Sequence, residues 1–163
     1  MAEKRAYLDT SVWNFYYSDD VPDEKEVTEI FFKNMEKKNI SIHIAEPVLR
    51  EISNAPENRK RKLFELLELY RPFQLDVTSE AERLADEYIR HGALPQSAET
   101  DALHIACASV HEMDYMISWN MRHIANVNRQ EKIQAINLLN GYTKTIQLIT
   151  PYAVAHHEDI DHT

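Results

Sequence analysis

The sequence predicts an α/β protein with a three-layer α/β/α architecture and a central, mostly parallel sheet of about five strands. Three observations carry this. Short apolar runs alternate along the chain with segments of helical periodicity. A helix around residues 97–110 is apolar on nearly every face (Ala102, Leu103, Ile105, Ala106, Cys107, Ala108, Val110), as a helix packed between other layers must be. No repeat, low-complexity tract or linker divides the 163 residues, so a single domain is expected, with a core over about residues 6–150 and a C-terminal tail at 151–163.

Arg5-Ala6-Tyr7-Leu8 reads as the first strand, with a sharp exit at Asp9-Thr10-Ser11. Val12 to Tyr17 begins a short helix. The acidic loop Ser18–Glu26 reads as a solvated connection and leads into a helix at about Glu24–Lys38, with Val27, Ile30, Phe31 and Met35 at helical spacing. Ile40-Ser41-Ile42-His43-Ile44 alternates as a second strand, which places His43 toward solvent. Glu46-Pro47 opens the next helix, since proline is tolerated in a first turn, and that helix ends before Pro56. A helix over Glu57–Tyr70 follows, its buried stripe read as Leu63, Phe64, Leu66, Leu67 and Tyr70. Its run Arg59-Lys60-Arg61-Lys62 reads either as an exposed face or as an RNA-phosphate contact.

Phe73 to Thr78 alternates as a third strand. Ser79, with Glu82 three positions on, makes a capping-box pattern for a helix reaching Arg90. The apolar helix follows, and then strand four, Tyr115-Met116-Ile117, which ends abruptly in Ser118-Trp119-Asn120. A helix over Asn128–Asn140, stopped by Gly141, precedes strand five at Ile146–Thr150. The tail from Ala155, with adjacent histidines and three acids, reads as disordered or partner-docking.

Composition narrows the function classes. The formal charge of −9 argues against a broad basic nucleic-acid surface but leaves room for phosphate bound through a metal ion. With only Gly92 and Gly141 as glycines there is no glycine-rich phosphate loop. No apolar run approaches the ~18 residues that cross a bilayer, and the single cysteine, Cys107, suits a cytoplasmic setting. In an open α/β sheet ligands sit beyond the carboxyl ends of strands, where Asp9 and the Ser118–Asn120 corner fall.

Three acids can meet there: Asp9 after strand one, Glu51 in the helix after strand two, and Asp101 opening the apolar helix. Oxygen ligands without a cysteine cluster suit Mg²⁺ or Mn²⁺ rather than structural zinc. Each acid also has an ordinary reading: Asp9 as a helix N-cap, Glu51 as a surface ion-pair partner, Asp101 as a favourable charge at a helix start. On spacing alone both readings stay open. His104, three residues after Asp101, can share its helix face in a supporting role. Trp119 can pack the corner or stack on a base.

The segments YLDTSVWN (Tyr7–Asn14), EPVLREI (Glu46–Ile52), TDALHIACA (Thr100–Ala108) and DYMISWNMRHI (Asp114–Ile124), in that order, resemble the PIN-domain family, toxin-like branch. The resemblance spans roughly Ala6 to Thr150. It implies a Mg²⁺- or Mn²⁺-dependent ribonuclease with Asp9, Glu51 and Asp101 as metal ligands. The family's later acid falls at Asn120, whose amide can coordinate or orient water but brings no negative charge. Thr10 and Ser118, with Ser11 a weaker candidate, would hold carboxylates or water in place, as would His104. Arg122 and His123 would contact RNA. The resemblance also implies a small antitoxin partner and admits a homodimer. Two classes follow: a metal-dependent endoribonuclease, or a PIN-like binding module with little activity, motivated by Asn120 and the acidic charge. A phosphatase with Asp9 as nucleophile fits poorly, because Ser11 stands where a second aspartate is usual.

Overall fold

The computed structural model describes residues 2–120 and 127–155. Among them, five strands form one parallel sheet in the order β3-β2-β1-β4-β5. The strands are β1 (Lys4–Leu8), β2 (Ile40–Ala45), β3 (Phe73–Leu75), β4 (Tyr115–Ile117) and β5 (Gln147–Ile149). Among the described residues, eight helices connect and cover the strands: α1 (Thr10–Phe15), α2 (Pro22–Asn34), α3 (Glu46–Ser53), α4 (Glu57–Tyr70), α5 (Ser79–Arg90), α6 (Glu99–Val110), α7 (Val127–Leu139) and α8 (Pro151–Ala155). A 3₁₀ turn at Gln96–Ala98 leads into α6. The three-layer α/β/α arrangement is the expected one. No helix among the described residues is long and apolar enough to cross a membrane.

The order of the strands decides where a site can form. From β1 the chain builds outward through β2 and β3. It then returns to β1's other side for β4 and β5. Neighbouring strands whose connections leave in opposite directions open a crevice at their carboxyl ends. The switch lies between β1 and β4, where Leu8 pairs with Ile117. The residues just beyond, Asp9 and Ser118, are therefore neighbours although 109 positions separate them.

Burial follows from the two covering layers. The inner strands β1, β2 and β4 are buried on both faces toward their carboxyl ends, as parallel strands covered by helices are. This corrects the reading of His43 as a solvent-facing position: alternation misleads where helices cover both faces. His43 is 6% exposed, its Nε2 lies 3.0 Å from the Ser41 hydroxyl, and its ring stacks on Phe73 at 5.1 Å. Burial, reinforced by the nearby positive charge of Arg5, lowers its pKa to about 4. The unfolded chain therefore takes up a proton between about pH 6.5 and 4 that the folded chain refuses. Stability from this group is present above that window and is lost as pH falls through it, by on the order of 2 kcal/mol. His43→Leu should shrink the stability difference between neutral and acid pH in urea titrations; an unchanged difference would place the acid sensitivity elsewhere.

Other expectations shift by a residue or a face. Phe64 is 38% exposed, and the buried stripe of α4 is Leu63, Leu66 and Leu67, with Tyr70 at its edge. Ile30 likewise lies at the margin of α2. The N-cap of α5 is Thr78, whose hydroxyl accepts from the Ala81 amide at 3.1 Å, so the cap sits one position before Ser79. β3 stops at Leu75, short of Thr78. α2 ends at Asn34 rather than Lys38, and Asn39 with φ +55° turns the chain into β2. Cys107 is buried in α6, where loss of hydration pushes its thiol pKa up to about 12. The start of the expected tail forms α8, which packs on α2 with Val154 buried and the Lys38 ammonium on the Val154 carbonyl at 2.8 Å. Arg122, His123 and the remainder of the tail lie outside the described residues.

Candidate active site

Asp9 stands at the exit of β1 and caps α1. Its backbone is extended, and its Oδ1 accepts from the Ser11 amide at 3.0 Å and from the Ser11 hydroxyl. Its Oδ2 accepts from the Ser118 hydroxyl. The expected capping role is thus present, and it does not exhaust the residue. A carboxylate has about four lone-pair positions, and these three bonds leave room for one more partner. Asp9 is 1% exposed, and burial raises its pKa above the ordinary carboxylate value. His104 and the two serines oppose that rise, while the negative charge of Asp101 adds to it.

The β4 corner is fastened to the same carboxylate. Ser118 Oγ donates to Asp9 and accepts from the Asn120 amide at 2.9 Å. Ser11 Oγ donates to Asp9 and accepts from the Trp119 amide at 2.9 Å. Asp9 itself donates its N–H to the Ile117 carbonyl at 3.2 Å. Ser11, the weaker hydroxyl candidate from sequence, holds Asp9 through both its amide and its side chain. A sequence signal existed: a hydroxyl two positions after an N-cap aspartate lies next to the amide that the cap accepts.

Glu51 reaches the site from α3, whose Val48 and Ile52 are buried beneath it. Its Oε1 accepts from the Thr10 hydroxyl at 2.6 Å and from His104 Nε2 at 2.8 Å. Burial tends to raise its pKa, but the hydrogen bonds from His104 and Thr10 outweigh this, and the carboxyl sits below its usual range. Behind it, His104 Nδ1 lies 2.6 Å from the hydroxyl of Tyr7. The phenol is fully buried, and burial followed by the surrounding negative groups pushes its pKa well above the ordinary value. The phenol therefore keeps its proton beside Nδ1, and Nε2–H donates to the Glu51 carboxylate. Tyr7 fixes the imidazole and the imidazole fixes the carboxylate.

We expect Tyr7→Phe to lower cleavage or metal affinity about tenfold and His104→Leu by up to about a hundredfold, the range for residues that orient ligands. His104→Gln, which can still donate to Glu51, should recover part of the loss. Equal losses in the Gln and Leu variants would mean that the hydrogen bond to Glu51 does not matter.

Asp101 comes from the first turn of α6, one helical turn before His104. Asp9, Glu51, Asp101, His104 and Asn120 all line one open cleft of about 660 Å³ at the β1/β4 switch. The sequence-predicted core of the site is therefore brought together. Ser118 lies beneath it, and Thr10 and Ser11 form its wall. Trp119 packs rather than waiting for a base: its Nε1 donates to Thr28 at 2.9 Å and its ring stacks on Phe15 at 5.5 Å. Three other residues at the site had no role assigned from sequence: Tyr7 behind His104, and Asn14 and Asp20 along the cleft; Arg59, from the basic run of α4, lines the cleft as well.

The donor set suits a hard divalent cation in kind, being oxygen from carboxylates and an amide. Among the described residues, no three Asp, Glu, His or Cys side chains form a group arranged to hold an ion. Mg²⁺ does not require such a cage, since it usually keeps several waters and takes one or two carboxylates. Charge points the same way: burial raises the Asp9 pKa and the negative charge of Asp101 adds a smaller push, and a cation would favour the ionised carboxylate against both.

The fold and cleft together define a doubly wound α/β domain with an acidic, oxygen-rich site at its switch point. The chain belongs to the PIN-domain family, whose model matches residues 6–129. Its fold is similar to VapBC2 from Rickettsia felis, solved bound to a DNA fragment from the promoter, with 18% identity and a TM-score of 0.56 over 90% of this chain and 98% of that one. It is also similar to VapC20 of Mycobacterium tuberculosis, a toxin that cleaves the sarcin-ricin loop, with 16% identity and a TM-score of 0.54 over 74% of this chain and 93% of that one. No curated protein matches the sequence. Membership of the PIN family supports a nuclease.

Proposed function

We propose that this protein is a Mg²⁺- or Mn²⁺-dependent endoribonuclease and the toxin of a toxin–antitoxin pair. The observation that carries the reading is the gathering of Asp9, Glu51 and Asp101, from three separate elements, on one cleft at the β1/β4 switch. The similarity of the fold to VapC20 and VapBC2 supports RNA as substrate and an antitoxin as partner.

Asp9, Glu51 and Asp101 would hold the ion, and Asn120 would orient water from the β4 corner. The bound ion would supply charge against the phosphodiester oxygens and an acidified water as nucleophile. The chain's own work is to fix the ligands in advance. Ser11 and Ser118 hold Asp9 in one orientation. Thr10 and His104 occupy Oε1 of Glu51, and no described residue hydrogen-bonds its Oε2. Ligands fixed before substrate arrives need no reorganisation during the reaction.

The deciding experiment is cleavage of single-stranded RNA with Mg²⁺, with Mn²⁺ and with a chelator. The endoribonuclease predicts internal cuts that need the metal. Cleavage undiminished by the chelator would refute the metal-dependent reading. Binding without cleavage under any metal would favour the second reading, a PIN-like binding module, which the amide of Asn120 in the cleft recommends. Asn120→Asp tests the same point from the other side. A further carboxylate among these acids should tighten Mn²⁺ binding about tenfold in calorimetry; unchanged affinity would put the corner outside the metal site.

A further inference from the structure

The first turns of α4 carry Arg59-Lys60-Arg61-Lys62, the densest positive run in a chain of formal charge −9. These side chains do not share one environment. Arg61 turns back to Asn58 on its own helix at 3.3 Å. Arg59 lines the acidic cleft, with Nη1 donating to the Asn14 carbonyl at 3.0 Å. Lys62 lies one turn further along the same helix face, 5.8 Å from the centre of the Tyr17 ring. The face of α4 that meets α1 therefore presents one cation at the cleft and a second beyond it.

Arg59 is the one Arg or Lys among the described residues lining the cleft, and it forms no salt bridge with a described carboxylate. A guanidinium has five N–H donors in a planar fork. The bond to Asn14 uses one of them and anchors the group. The remaining donors suit a phosphate, which a planar fork can grip through two oxygens. A chain of formal charge −9 also repels an RNA strand on balance. Phosphates flanking the carboxylates need a local cation, and α4 supplies it on the cleft wall.

We propose that Arg59 forms a subsite for the RNA phosphate next to the one that is cut, with Lys62 continuing the path along α4; this rests on the endoribonuclease reading of the same cleft. The test is binding of a fluorescently labelled single-stranded oligoribonucleotide of mixed sequence across a potassium chloride series. Calcium replaces magnesium, so that the acidic cleft is neutralised and binding is read apart from cleavage. Arg59→Gln keeps a donor for the Asn14 carbonyl and removes the charge. It should weaken binding about tenfold and reduce the slope of log affinity against log salt by about one. Arg59→Lys should keep the slope and lose part of the affinity, because it keeps the charge without the fork. Wild-type affinity and slope in Arg59→Gln, with the wild type binding RNA, would overturn the subsite alone. A wild type that binds no RNA would overturn the endoribonuclease reading and the subsite with it.

Discussion

Asp9→Asn should lower RNA cleavage by about a thousandfold while leaving the protein folded. If the Asp9 charge contributes about 4 kcal/mol toward neutralising the reacting phosphodiester through the ion, its loss costs about 10³ in rate. The same substitution separates the chemistry from the fold. Burial raises the Asp9 pKa, so the folded chain holds a proton more tightly than the unfolded chain. The stability this group provides is present below the ordinary carboxylate range. It falls as pH rises from that range through the raised value, and at neutral pH the ionised carboxylate opposes folding. Asparagine keeps an oxygen for the two bonds from Ser11 and carries no charge. In a chelator at neutral pH, Asp9→Asn should therefore be at least as stable as the wild type, while divalent cations should raise the melting temperature of the wild type alone. Urea and thermal melts read both. A variant clearly less stable in chelator would mean that the serine hydrogen bonds outweigh the burial of the charge.

Trp13→Ala should cost about 4 kcal/mol of stability, the range for deleting a fully buried aromatic. Trp13 is 0% exposed and packs against Phe32 at 5.1 Å, pinning the six-residue α1 to α2. In a chain of this size the loss should lower the melting temperature by about 10 °C. Trp13→Phe should lose less than half as much. It keeps most of the apolar volume and removes an indole N–H that has no hydrogen-bond partner among the described residues. Because α1 also carries Thr10 and Ser11, the Ala variant should lose cleavage activity below its melting temperature, whereas the Phe variant should keep it. Equal stability of Ala and Phe would show that α1 is not anchored through this ring.

Much of the frame was legible because its signals are local. The limits of α4 at Glu57 and Tyr70, the end of α5 at Arg90 and the three residues of β4 lie where periodicity and punctuation place them. Asp9 could be singled out at the end of a strand and Asp101 at the start of a helix, whereas Glu51, late in α3, stood out through the EPVLREI segment and its resemblance. The supports were harder to read, since they depend on which strands lie side by side. Ser118 reaches Asp9 only because β4 pairs with β1, and Tyr7 reaches His104 only because α6 covers β1. Nothing near Tyr7 in sequence marks a hydroxyl that holds an imidazole 97 positions away. Arg59 was visible as part of a basic run, but only the packing of α4 beside α1 separates it from Arg61. His43 shows the opposite failure: a polar residue in an alternating strand looks exposed until the second helical layer is counted.

The most direct test of the central claim is a crystal structure with Mn²⁺, with the ion located by its anomalous scattering. The account predicts a peak in the cleft at the β1/β4 switch, within about 2.0–2.3 Å of a carboxylate oxygen of Asp9, Glu51 or Asp101 and joined to the others directly or through water. A peak at another place on the protein, or a cleft without manganese at a concentration that supports RNA cleavage, would contradict it.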